Sequence, residues 1–212
     1  QTDVFYTASD IRRNFVDVVY GDILVSGKIY GLPLGVNTLV MYYNRELLNQ
    51  ASLVAPPGTW ADFASAVTRL TVVDDQNQIL RAGTAMGTYD NVPNATDMVT
   101  LLMLQNGAAM TTGSKVTFHQ AAAGEGAYYP GAEALRFYTD FATPEKSTYT
   151  WNDQMPNALD LFAQGKVAFF FGYPFQDADI RAKARGLDYD IAPVPQISAQ
   201  NTVNLADYWV YP

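Results

Sequence analysis

Apolar positions along this chain follow two rhythms. The first is helical. Trp60, Phe63, Val67 and Leu70 recur at the interval that lines one face of a helix, and Met98, Leu101, Leu102 and Gln105 keep the same period. Ile11, Phe15, Val16 and Val19 follow Asp10 at helical spacing, which predicts a short helix. Pro130 to Thr143 predicts a strongly amphipathic helix with Leu135, Tyr138, Phe141 and Ala142 facing inward. The second rhythm is the short β-branched or aromatic run. Thr38 to Tyr43, Gly83 to Gly87, Asp188 to Ala192 and Val203 to Tyr211 read as strands. Lys166 to Phe171 is continuously apolar after its lysine, as a strand covered on both sheet faces requires.

Punctuation residues divide these elements. Tyr30-Gly31-Leu32-Pro33 is a short extended segment, followed by a turn at Gly35 and Asn37. Asn44 is placed to cap a helix beginning Arg45-Glu46-Leu47-Leu48, and Thr59 with Asp62 forms a capping-box variant. Pro93 suits the first turn of a helix from about Ala95 to Gln105, which Asn106-Gly107 ends. Two further helices are predicted, Pro156 to Gln164 and from the Gly172–Gln176 turn through Ala184. Thr111 to Gly126 carries little pattern and holds the single histidine, His119, read as a loop residue. Asp74 and Asp75 lie in a polar turn without the glycine and distal glutamate of a calcium loop.

Four segments together resemble a known family. They are Y-G-L-P at Tyr30–Pro33 with L-x-x-Y-Y-N-x-x-L-L at Leu39–Leu48, Pro56-Pro57-Gly58-Thr59-Trp60-Ala61-Asp62-Phe63, the run from Ala158 through Phe162, Gly165-Lys166-Val167-Ala168 and Gly172-Tyr173, and Tyr189 to Pro195. Their order and spacing resemble the extracellular solute-binding proteins of sugar ABC importers, the group that includes maltose-binding protein. The match runs from about residue 28 to the end and is loose before that. The resemblance implies an α/β fold: a periplasmic-binding-protein type II lobe with a mixed central sheet flanked by helices, truncated relative to the two-lobe family. It places residues 1–36 in a first-lobe remnant and hinge approach, 37–202 in the second lobe and 203–212 in a return hinge strand. It also implies the missing first lobe and ABC-transporter membrane subunits as partners, hinge closure around a solute, and a periplasmic or extracellular location, with a lipid anchor conceivable in the full-length parent. Its segments suggest an excised piece of a longer chain.

Composition narrows the chemistry. A chain of 212 residues, 49% hydrophobic and 16% charged, can bury a substantial core and carries no signature of disorder. A net charge of -8 excludes a nucleic-acid surface, which needs a basic patch. The absence of cysteine excludes disulfide and thiolate chemistry and fits an exported protein. No cofactor is indicated.

Ligands of open α/β sheets gather at strand carboxyl ends beside helix N-termini. The loops expected there carry Tyr89, Asp90 and Asn91, then Trp151, then Tyr173, Phe175 and Gln176. The resemblance adds Asn37, at a hinge position where the family often has a carboxylate, and Tyr208 and Trp209 on the return segment. It puts Phe175 where the maltose-binding group stacks a tryptophan on its sugar. Flat rings beside amides and carboxylates suit a carbohydrate, whose CH faces stack while its hydroxyls bond at the rim. An amino acid would call for an arginine clamp, which these loops lack. Two alternatives stand beside a sugar-binding protein: a receptor for a polyamine or peptide, and a glycoside hydrolase drawing a carboxylate pair from Asp90, Asp177 and Asp207. For Asn91 and Asn94 helix capping weighs equally with ligand contact.

Overall fold

A computed structural model describes residues 6–76, 78–122, 127–184, 186–198 and 202–211. The chain forms two compact units, Gln1–Thr38 with Ala206–Pro212, and Leu39–Leu205.

The smaller unit opens with helix α1 (Ala8–Asn14), where Thr7 and Asp10 form a reciprocal capping box. The backbone is extended at Phe15 and Val16 before α2 (Asp17–Ile23), so the single helix expected here is two. Ile11, Val19 and Ile23 are buried together, with Phe15, Tyr20 and Leu32 packed around them. Strands β1 (Leu24–Val25) and β2 (Lys28–Ile29) make a hairpin whose tip residues, Ser26 and Gly27, both have positive φ, the conformation a two-residue turn favours. β3 (Leu32–Thr38) is one continuous strand. Gly35 and Asn37, expected in a turn, lie inside it because a partner strand pairs along its length.

The larger unit begins with β4 (Val40–Asn44) and α3 (Arg45–Gln50), joined where Asn44 Oδ1 accepts the Leu47 amide at 3.0 Å. α4 (Trp60–Leu70) is capped by Thr59, and its stripe of Trp60, Phe63, Val67 and Leu70 is buried as the spacing predicts. β5 (Val72–Val73) and β6 (Ile79–Thr84) follow. β6 begins earlier than expected and releases the chain at Ala85; Gly87, with φ of 106°, stands where extended backbone is lost. Next come α5 (Ala95–Gln105), the small hairpin β7 (Thr111–Thr112) and β8 (Lys115–Val116), and α6 (Pro130–Asp140). On α6 Tyr138 is buried and Phe141 just beyond it, but Leu135, expected inward, is half exposed. α7 (Ala158–Ala163), β9 (Val167–Gly172), a 3₁₀ turn (Pro174–Gln176), α8 (Asp177–Lys183) and β10 (Tyr189–Pro193) complete the unit. Finally β11 (Ala206–Tyr211) pairs antiparallel with β3 in the smaller unit.

The sheet of the larger unit has the order β10-β4-β9-β6-β5. β9 runs parallel to β6 and antiparallel to β4, which is antiparallel to β10. Every residue of β9 is buried, which accounts for its unbroken apolar sequence. The directions put the carboxyl ends of β6, β9 and β10 along one edge, with Val40 at the start of β4 opposite both Gly172 and Pro193. At that edge the unit's two termini are tied together. The Leu39 amide donates to the Leu205 carbonyl at 3.3 Å, and Asn204 Nδ2 donates to the Leu39 carbonyl at 2.9 Å.

α4 lies tightly on β6. A Cβ at Gly83 would sit 2.5 Å from the Val67 carbonyl oxygen and 2.8 Å from its Cα. Both obstacles are backbone and cannot swing aside. Gly83→Ala is therefore expected to lower stability by about 1–3 kcal/mol, seen as a reduced urea midpoint. An unchanged midpoint would mean that helix and strand separate freely.

Candidate functional site

The carboxyl-end loops of β6 and β9 meet at the start of α5. Asn94 is the residue that joins them. It precedes α5 but makes no side-chain cap. Its Nδ2 instead donates to the Phe171 carbonyl and to Gln176 Oε1, each at 3.0 Å. Gln176 Oε1 also accepts the Tyr173 amide at 2.8 Å, while Tyr42 Oη donates to the Tyr173 carbonyl at 2.8 Å. Both flanks of Tyr173 are thus fixed. Gly172 makes this possible, since a Cβ there would come within 2.4 Å of Gln176 Oε1.

The Tyr173 ring is 5% exposed and its hydroxyl donates to Asp97 Oδ2 at 3.1 Å. Phe175 stacks on it, with ring planes 8° apart and centroids at 5.7 Å. Phe175 itself is 58% exposed, so its outer face is open. The result is a flat aromatic platform with a carboxylate (Asp97) and two amides (Asn94, Gln176) beside it. Tyr89, 72% exposed, and Asp90, also exposed, stand in the loop that leads into α5.

Two expected ligand residues are structural struts here. Trp151 is fully buried, and its indole N–H donates to Asn91 Oδ1 at 3.0 Å, so no ring face remains for a ligand. Asn91 is saturated. Its Oδ1 accepts from Trp151 and from the Thr88 hydroxyl, and its Nδ2 donates to the carbonyls of Asn152 (2.8 Å) and Met155 (2.9 Å). An amide has two donors and two strong acceptor sites, and all are used. Neither Asn91 nor Asn94 caps a helix with its side chain. Gln176 and Tyr173 are largely buried and act by positioning Phe175.

Asn37, Tyr208 and Trp209 belong to the other unit. Asn37 is half buried in β3, opposite Asp207. The Tyr208 hydroxyl donates to Asp22, which pushes its pKa up to about 12. Trp209 lies opposite Gly35 in the ladder; its side chain is outside the described residues. Sequence reasoning missed Asp97 as a site residue and gave Asn94 no firm place. An acid in a helix's first turn looks like ordinary dipole compensation, and only tertiary contact sets Asp97 beside Tyr173.

Just past the platform, Asp177 accepts from the Tyr189 hydroxyl at 2.6 Å and from Arg181 Nε at 2.7 Å. The Tyr189 hydrogen bond, reinforced by Arg181, holds its carboxyl below the usual carboxylate range. A glycosidase acid needs the opposite shift. Among the described residues no group of His, Cys, Asp and Glu could hold a metal ion, and no helix is long and apolar enough to cross a membrane.

The profile of the bacterial extracellular solute-binding proteins matches residues 7–212. The chain belongs to this family. As a bacterial extracellular solute-binding protein, it is similar to the galactooligosaccharide-binding protein of Bacillus subtilis, with 23% identity over 210 residues, 96% of this chain and 44% of the relative. In fold it is similar to an ABC transporter solute-binding protein of Thermotoga lettingae bound with alpha-D-tagatose. That likeness has a TM-score of 0.69 at 22% identity, covering 93% of this chain and 48% of the other. It is also similar to UgpB of Mycobacterium tuberculosis in complex with glycerophosphocholine, with a TM-score of 0.68 at 19% identity over 92% of this chain and 45% of the other. The chain spans about half the length of the curated relatives it matches. The mixed-sheet type II lobe expected from the sequence is the observed fold. The family is one of extracellular solute binders, not of enzymes.

Two outcomes follow. Asn91→Leu leaves the Trp151 N–H and two carbonyls without partners and is expected to lower stability by about 1–3 kcal/mol, measured by urea unfolding; a cost near zero would contradict its role as a strut. Asp177 has a depressed folded-state pKa, so its stabilisation is complete above the unfolded value of about 3.9 and fades as pH falls through the folded one. The stability gap between wild type and Asp177→Asn should accordingly be flat near neutrality and shrink below about pH 4. A gap that grows with acid would show that the sign is wrong.

Proposed function

We propose that this chain supplies the second lobe of a carbohydrate receptor serving an ABC importer, and that it binds without chemical transformation. The reading rests on the exposed Phe175 ring, stacked on a fixed Tyr173 and flanked by Asp97, Asn94 and Gln176. A sugar's CH face would lie on the ring while its hydroxyls bond the Asp97 carboxylate at the rim. Membership of an extracellular solute-binding family supports it, as do the galactooligosaccharide named for one relative and the tagatose bound by one structural neighbour.

In this proposal residues 37–202 form the second lobe, residues 1–36 belong to the first, and residues 203–212 return to it. The full-length protein works at the periplasmic or outer face, where a lipid anchor would keep it near the membrane subunits. Its first lobe supplies the remaining ligand contacts, because a solute drives closure only by binding the closed form better than the open one. Tyr89 and Asp90 are proposed ligand contacts on this lobe.

The test is calorimetric titration of this chain with mono- and oligosaccharides, with spermidine as the competing class. With half the contacts, the expected dissociation constants are millimolar, on the order of 4 kcal/mol of binding free energy. Phe175→Ala should weaken binding about tenfold. Micromolar affinity would contradict a half-site, and tight spermidine binding would favour the polyamine reading. Sugar binding indifferent to Phe175→Ala would move the site elsewhere.

A further inference from the structure

A second concavity, of about 410 Å³, lies between α5 and α6. Helical spacing puts Thr96, Val99, Thr100 and Met103 on one face of α5, and that face forms one wall. Leu135 and Tyr138 of α6 form the other, with Phe118 beside them. Leu135 is half exposed because it borders this space. No residue of the Phe175 platform lines the groove, so the two are separate places on the surface.

The walls are held by contacts made outside the groove. The Tyr138 hydroxyl donates to the Thr88 carbonyl at 2.7 Å and ties α6 to the Gly87–Tyr89 turn. A Cβ at Gly87 would fall 2.6 Å from the Ala142 backbone nitrogen, and one at Gly131 would fall 2.1 Å from the Phe118 carbonyl oxygen. The turn and the Phe118 segment are therefore seated directly on backbone at the two ends of α6. Such a fixed frame is typical of a preformed small-molecule site, and the volume is within the range of about 300–1,000 Å³ that such sites have.

The lining specifies the ligand's chemistry. No carboxylate, ammonium or guanidinium is among the described residues around the groove, so an ion would be desolvated there without compensation. The Phe118 and Tyr138 rings and the Met103 thioether offer surface suited to a flat aromatic group. Most of the hydroxyls present are already committed: Tyr138 to Thr88, Thr88 to Asn91, and Thr139 to the Arg136 carbonyl at 3.1 Å. Thr96 and Thr100 differ. A helical threonine often bonds the carbonyl four residues back, as Thr68 does to Ala64. Among the described residues neither the Thr96 nor the Thr100 hydroxyl has a partner. They stand one turn apart on the groove wall, where a ligand hydroxyl can both donate and accept.

We propose that the groove between α5 and α6 is a second binding site, for a neutral phenolic molecule of one or two rings whose hydroxyl bonds Thr96 and Thr100. The proposal is independent of the carbohydrate reading above.

The experiment uses the whole chain and N-phenyl-1-naphthylamine, a neutral dye that brightens in apolar surroundings. Saturable brightening is expected. Leu135→Asp and Thr96→Asp each place a carboxylate at the groove and should weaken dye binding at least about fivefold. Both positions are exposed, and circular dichroism checks the fold of each variant. Val54→Asp, fully exposed and outside the groove, should change nothing. Four bicyclic competitors then read the chemistry. 2-Naphthol should displace dye about fivefold better than naphthalene. It should do so at least about tenfold better than 2-naphthoate or 2-naphthylmethylammonium, ions of opposite sign. In the double variant Thr96→Val with Thr100→Val the dye should still bind, while the preference for 2-naphthol over naphthalene falls below about twofold. Dye binding that does not saturate, that survives both aspartate substitutions, or that is lost in Phe175→Ala overturns the groove as the site. Ions that compete as well as 2-naphthol, or a preference that persists in the double variant, overturn the phenol assignment.

Discussion

A strand with no exposed residue must find all its backbone partners inside the protein, and β9 is such a strand. It meets the requirement by pairing with β4 on one side and β6 on the other, in opposite senses. That mixed pairing determines where the connecting loops emerge. Because β6 runs with β9, the loops after Thr84 and Gly172 leave at the same edge. Because β4 runs against β9, the unit's first residues arrive there too. The aromatic platform, the start of α5 and the tie between Leu39 and Leu205 share an edge for this one reason.

At that edge similar side chains do different work, according to how many of their hydrogen-bonding positions are already occupied. Asn91 has four partners and serves as a strut between two loops. Asn94 and Gln176 share one contact and lock the platform's backbone. Trp151 and Phe175 divide in the same way. The larger ring is enclosed and spends its N–H on Asn91, while the smaller one stacks outward on Tyr173. A rigid support beneath an exposed ring lowers the ordering entropy lost when a ligand stacks on it.

The charged groups are arranged around this core instead of within it. Arg45 pairs with Asp188 and Asp190 at the outer edge strand β10. Exposed pairs of this kind contribute little to stability. Their more useful effect is to place charge along a strand edge that would otherwise offer unpaired backbone to another chain.

The sequence by itself determined the elements whose cause is local. The stripe of α4, the caps at Asn44 and Thr59, the end of α5 at Asn106-Gly107 and the enclosed β9 were all legible, because periodicity and capping act over a few residues. The family-like motifs around Tyr30–Leu48 and Gly172–Gln176 made the α/β lobe legible as well. Only the tertiary structure decided where long-range partners intervene. It made β3 continuous through Gly35, because β11 pairs with it, and left Leu135 half exposed beside a groove. It enclosed Trp151, saturated Asn91, and set Asp97 and Asn94 against the β9 loop. A side chain's identity states which bonds it can make; whether it spends them on the protein or keeps them for a ligand depends on neighbours far away in the chain.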